Sequence, residues 1–136
     1  MLTFSWDDLD FADAWTEEDE AARWRSASGH GPSSGAQSSG SSVIEVERGR
    51  KLPMHTDSAE ETIVVLAGTA EVEVGGETAK VAACGLALVP KNVMHEVRNA
   101  GDETLRFAAV YADVDVVTTY RHPVQPAGSR EREPVS

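Results

Sequence analysis

The sequence predicts an all-β protein, a sandwich or single jelly-roll barrel, on three observations. From Val43 onward apolar and polar residues alternate in runs such as VIEVE and AEVEV, the period of two that sends successive side chains to opposite faces of a strand. AEVEV and ETAKV are separated by Gly75-Gly76 alone, a two-residue hairpin turn that needs positive φ at both centres. The remaining apolar runs are short and divided by Gly, Asn and Asp turns such as Asn99-Ala100-Gly101-Asp102, with no helical period among them. A length of 136 residues allows one domain.

Along the chain, residues 1–25 read as an acidic aromatic arm. Phe4, Trp6, Phe11, Trp15 and Trp24 are interspersed with eight acids and only Arg23 and Arg25. Between Asp7 and Trp24 a helix is one reading, because Leu9, Ala12, Trp15 and Ala22 fall near one face, and Thr16 followed by Glu17, Glu18 and Asp19 suits a helix start. The arm is then either an acidic, partly ordered segment or one whose tryptophans dock on the barrel or cover its mouth. Residues 26–42, SASGHGPSSGAQSSGSS, lack apolar periodicity and read as a flexible linker or rim loop. Residues 43–121 hold the barrel, about eight short strands: VIEVE, TIVVL, AEVEV, ETAKV, LALVP, HEVRN, TLRFAAVY and VDVVTTY. Residues 122–136, rich in Pro and charge, read as a flexible tail.

The net charge of −11 argues against a nucleic-acid partner, which needs a basic patch. Most of that excess lies in the arm, and the barrel is nearly ordinary. With one cysteine, Cys84, no intramolecular disulfide can form. Neither a signal-peptide pattern nor an apolar run of membrane-spanning length is present, so a soluble, cytoplasmic protein with no membrane partner is expected.

The chemistry concentrates in two runs, GRKLPMHTDSAEETIVVLAG and PKNVMHEVRN. His55 and Asp57 are two apart on a strand-like segment and share a face. Glu61 opens the next apolar run and His95 begins a later strand. In a closed barrel these four inward side chains can meet. Two imidazoles with one or two carboxylates suit a single divalent transition metal ion, Fe, Mn, Zn, Ni or Cu. Glu60 is expected to face solvent, and Met54 and Met94 to pack in the wall. Cys84 reads as a buried, inert thiol, and His30 and His122 as solvent-exposed. Leu105, Phe107, Ala109 and Tyr111 share one strand face opposite Arg106. Tyr111 is therefore either a core residue or a catalytic acid/base or substrate-orienting group.

These runs resemble the two motifs of the cupin superfamily. Gly49, His55, Asp57, Glu61 and Gly68 keep every spacing of the first motif, with Asp57 standing where a second histidine is usual. Pro90, His95 and Asn99 keep the second, with Cys84 and Asn92 in place of its glycines and Gly85 displaced by one. The resemblance covers roughly residues 43–120. It implies a double-stranded β-helix (jelly-roll) barrel, usually a homodimer, with His55, Glu61 and His95 as metal ligands. Asp57 either ligates as well or stands beside the metal as a general base. The function implied is a metal-dependent enzyme acting on a small organic molecule, with dioxygenase, isomerase, lyase or cyclase chemistry. The alternative is a non-catalytic small-molecule-binding or regulatory module.

Overall fold

The computed structural model describes residues 1–132. Twelve strands occur among them. The first two are β1 (Ala12–Thr16) and β2 (Asp19–Ser28). Then come β3 (Gly40–Val46), β4 (Lys51–Asp57), β5 (Glu61–Ala67), β6 (Thr69–Val74), β7 (Glu77–Ala82) and β8 (Leu86–Val89). The last four are β9 (His95–Asn99), β10 (Leu105–Tyr111), β11 (Thr118–Val124) and β12 (Ser129–Arg132). Hydrogen-bonded neighbours run β7-β6-β9-β4-β2-β3-β10-β5-β8, with β11 added to β4, β12 to β11 and β1 to β2. The sheet curls into a nearly closed barrel. Phe107, Ile63, Val65, Val46, Leu105, Val97 and Val89 fill its interior, and this apolar burial is the main force holding the fold. Among the described residues no helix is long and apolar enough to cross a membrane.

The N-terminal quarter departs from both the helical and the loose-arm readings. β1 pairs with β2 (Ala14 opposite Trp24), and β2 pairs with β3 (Ser26 opposite Ile44). Along β2, Ala22 and Trp24 point inward while Arg23 and Arg25 face out. That alternation, together with ladder hydrogen bonds to an existing sheet edge, outweighs the weak helical spacing of Leu9, Ala12 and Trp15. Of the tryptophans only Trp24 enters the interior. The segment before β1 lies on the outer face of the sheet. There Trp6 Nε1 donates to Glu45 Oε2 at 3.1 Å, Trp6 and Phe11 rings lie 5.6 Å apart, and Arg25 and Arg106 stack on Phe11 and Trp6. Glu45, itself buried, also takes both guanidinium groups at 3.0 Å.

The Gly/Ser run is shorter as a loop than its composition suggests. Its first residues finish β2, its last begin β3, and His30 is half-buried between Ser39 and Ser41 hydroxyls at 2.9 and 2.7 Å. The tail reading changes in the same way. Residues 122–124 finish β11, residues 125–128 turn the chain and residues 129–132 form β12, while residues 133–136 of that run lie outside the described residues.

Two turns carry left-handed non-glycine residues, Cys84 (φ 71°) and Asn92 (φ 62°). These are the positions where the resemblance calls for glycine. Asn tolerates this conformation, whereas Cys pays for its Cβ. Cys84 is also exposed rather than buried, because its turn between β7 and β8 projects it outward. Gly85 must remain glycine for another reason: a Cβ there would stand 2.6 Å from Val81 Cγ1 and 2.8 Å from the Ala82 carbonyl oxygen. Cys84→Gly is therefore expected to stabilise the protein by about 1 kcal/mol, and Gly85→Ala to destabilise it. Thermal melts of the two variants in opposite directions are the check.

Candidate metal centre

Strand register brings the four predicted ligands together. His55 on β4 lies directly opposite His95 on β9, their rings 4.0 Å apart between centroids. Two residues along β4, Asp57 shares the inward face with His55 and pairs across to Thr118 on β11. Glu61 starts β5 and lies opposite Tyr111 on β10. All four are buried, and one ligand atom from each lies within 4.8 Å of the others.

The imidazoles are aimed. His55 Nδ1 bonds the Pro53 carbonyl at 2.6 Å, and His95 Nδ1 bonds that of Val93 at 2.9 Å. A carbonyl accepts only, so both rings carry their proton on Nδ1 and turn the Nε2 lone pair inward when neutral. His95 Nε2 is 2.9 Å from Glu61 Oε1 and 3.1 Å from Asp57 Oδ2, and His55 Nε2 is 3.7 Å from the same Asp57 oxygen. Asp57 Oδ1 accepts from Thr118 Oγ1 at 2.6 Å, but Oδ2 has no hydrogen-bond partner despite its burial. The His95 contact is close enough for an ion pair yet misaligned for a hydrogen bond. Converging lone pairs and an orphaned carboxylate oxygen leave a place that a cation satisfies. This group could hold a metal ion, and borderline N/O donors fit a divalent transition metal.

Without a metal, protons take the cation's part. Burial pushes His95 down, but Asp57 and Glu61 outweigh it and raise its pKa to about 10. Burial raises Glu61 to about 7, with the Asp57 charge adding to it against His95. Burial also pushes Asp57 up, yet His95 and His55 bring it down to about 2. His55 falls to about 4 through burial and the His95 charge. His95 is thus an imidazolium held between two carboxylates, and His55 is neutral.

A cavity of about 250 Å³ opens onto this cluster, reaching His55 and Glu61 at its floor. Trp24, Tyr111 and Tyr120 line its walls, Trp24 stacked on Tyr120 at 5.4 Å. Ser26, Ser42 and Thr118 add hydroxyls, and Asp10 and Arg132 stand among the lining residues. Tyr111 is buried on the inward face, and its hydroxyl pairs with Ser42. Burial, with the charges of Glu61 and Asp57 adding to it, raises its pKa well above the usual tyrosine value, so it stays a proton donor. Glu60, Cys84 and His122 are exposed and lie outside this constellation. Reading the sequence did not single out Trp24 among the arm's tryptophans, nor Ser26, Thr118 and Arg132, which sit in stretches read as linker, wall or tail. The alternation of Ala22, Trp24 and Ser26 against Arg23 and Arg25 was the signal available for the first two.

Comparison with known proteins agrees with this fold. The sequence model of a family described as "Cupin domain" matches residues 42–111. The structure is similar to a predicted oxalate decarboxylase from Thermotoga maritima (TM-score 0.73, 14% identity, 82% of this chain and 99% of that one). It is also similar to the Cnp3 cupin domain of Schizosaccharomyces pombe (TM-score 0.67, 19% identity, 82% and 74%). A third similar structure is a Lactobacillus farciminis oxalate decarboxylase in complex with formate (TM-score 0.68, 24% identity). The match covers 82% of this chain but 33% of that enzyme. Likeness at these identities speaks to the fold. A search of curated proteins finds no match.

Proposed function

Since the chain belongs to the cupin domain family, we propose that it is a metal-dependent enzyme acting on a small organic molecule inside its barrel. The observation that carries this reading is the buried group of His55, Asp57, Glu61 and His95, of which His55 and Glu61 line an open cavity. His55, Glu61 and His95 hold one divalent transition metal ion, and Asp57 Oδ2 joins them. A bound ion would supply a Lewis acid that polarises or orients a substrate oxygen. Its identity among Fe, Mn, Zn, Ni and Cu is not fixed by the donor set.

The chain's own residues divide the remaining work. Trp24 and Tyr120 present flat apolar walls. Tyr111, kept protonated, donates a hydrogen bond that orients the substrate or hands it a proton, the catalytic role assigned to it here. For Asp57 the low pKa and the Thr118 bond favour ligation over the role of general base. The cavity volume limits the substrate to a small metabolite. The oxalate decarboxylases among the similar structures act, by name, on such a molecule.

Metal analysis of untagged protein tests the reading. About one equivalent of a transition metal is expected, followed by turnover of small-molecule candidates, with oxygen uptake separating dioxygenase from isomerase, lyase or cyclase chemistry. Protein that takes up no metal, yet binds small molecules, would return the non-catalytic binding reading.

We further propose that the chain works as a homodimer. Leu86 and Leu88 on the edge strand β8, with Leu66 on β5 and Val110 on β10, form an exposed apolar stripe on the outer sheet face (Leu86 64% and Leu88 61% exposed). Rows such as Leu86–Val64–Ala108 continue it across β8, β5 and β10. A stripe of this kind is a common site of self-association. Light scattering should give twice the chain mass, and Leu86→Glu with Leu88→Glu should give the monomer without loss of fold.

A further inference from the structure

Thr118 belongs to neither of the two ligand-bearing runs, yet it touches the candidate metal centre directly. Its Oγ1 donates to Asp57 Oδ1 at 2.6 Å, both side chains being buried. The other oxygen, Oδ2, is left without a hydrogen-bond partner, 3.1 Å from His95 Nε2 and 3.7 Å from His55 Nε2. A carboxylate can meet a cation with one oxygen or two, and its free rotation about χ2 leaves that choice open. Here one oxygen is occupied.

The hydroxyl that occupies it is rigidly placed. Thr118 lies opposite Asp57 in the β11–β4 ladder. The adjoining residues zip the same junction: Ser58 N donates to the Val117 carbonyl at 3.0 Å, and Val117 N donates to Ser58 Oγ at 2.8 Å. The Asp57 carbonyl accepts from Asn92 N at 2.9 Å, which pins the end of β4 to the turn before His95. A β-branched side chain on such a strand has little χ1 freedom. Thr118 Oγ1 is therefore delivered to Oδ1 by the backbone, and Oδ2 is turned toward the imidazoles as a consequence.

We propose that Thr118 is a positioning residue that makes Asp57 a one-oxygen metal ligand, and so builds the carboxylate-rich form of this centre. The proposal rests on the metal-binding reading above. It assigns the C-terminal strand β11 a part in the site, and it explains how an aspartate serves at a position where an imidazole would reach further. The shorter side chain is compensated by a partner that fixes which oxygen faces inward.

Co(II) is the probe, titrated into chelator-stripped full-length protein in competition with a chromophoric chelator, with its d–d spectrum recorded. Thr118→Val keeps the shape but removes the donor, and should weaken Co(II) binding roughly ten- to a hundred-fold, the range for losing a group that orients a ligand. It should also alter the d–d bands, as the freed carboxylate rotates. Thr118→Ser restores the hydroxyl and should bind within about threefold of the wild type, with the wild-type spectrum. In an Asp57→Ala background, Thr118→Val should cost nothing further. A melt of each metal-free variant shows that it is folded before titration. Wild-type affinity and spectrum in Thr118→Val overturn the proposal, and so does an equal loss in the Asp57→Ala background. Wild-type protein that takes up no Co(II) overturns the metal-binding reading itself, an outcome distinguishable from both.

Discussion

Alanine at either His55 or His95 is expected to lower affinity for a divalent transition metal by more than about a hundred-fold, beyond the loss from any orienting partner. The two variants should then diverge in stability once the metal is removed. His95, with its pKa raised to about 10, is the cation between Asp57 and Glu61. Removing it leaves two buried carboxylates facing each other, a cost of about 3–5 kcal/mol that protonation of Glu61 partly relieves. His55 is neutral, with its pKa near 4, so its loss removes packing and no charge. Metal-free His95→Ala should therefore melt well below metal-free His55→Ala, although both fail to hold the ion. Equal melting temperatures would show that the imidazolium is not what balances the site. In the wild type, a metal at a thousand times its Kd should add about 4 kcal/mol, read as a melting temperature that falls on adding chelator.

The second large effect is on pH. At pH 7 the metal-free site holds a proton on His95 (pKa about 10) and part of one on Glu61 (pKa about 7). Ligation needs both gone. Metal binding should thus release between about one and two protons at pH 7, and affinity should climb as pH rises from about 6 to 9. The stability of the metal-free protein runs the other way. His95 and Glu61 both have folded pKa values above their ordinary ones, so the folded state binds more protons than the unfolded chain. Stability from these groups is present at low pH. It is lost from about pH 4.5 upward through 7 for Glu61, and from about 6.5 through 10 for His95. His55, lowered to about 4, gains stability as pH rises to about 6.5 and offsets Glu61, so the net fall lies above about pH 6.5. Asp57, lowered to about 2, contributes stability above its ordinary value of 3.8 that is lost as pH falls through 2. Calorimetric titration in buffers of different ionisation enthalpy measures the protons released. A metal affinity flat across this range would contradict the arrangement of charges described here.

Much of the barrel could be read from sequence because its signals are local. Alternation in VIEVE and AEVEV, the Gly75-Gly76 turn and the spaced turn residues each depend on neighbours in the chain. They correspond to β3, β6 and β7. What was misread lies where the deciding partner is distant. Asp19–Ser28 is a strand because β3 offers it a ladder, and Ser129–Arg132 because β11 does. Cys84 is exposed because its turn points away from the barrel, a direction that no window of residues carries.

The candidate site divides along the same line. By itself the sequence determined the residues and their spacing. His55 and Asp57 share a face because strand side chains repeat every two residues, and Glu61 and His95 stand at set intervals from the turns around them. Only the tertiary structure decided that His55 lies across from His95, that Glu61 reaches the same point from β5, and that Trp24 and Arg132 border the cavity. It also decided that Asp57 has one oxygen held by Thr118 and the other turned toward the imidazoles without a hydrogen bond. Register between strands far apart in sequence depends on the closure of the whole sheet, and that closure is a property of the packed barrel rather than of any one run within it.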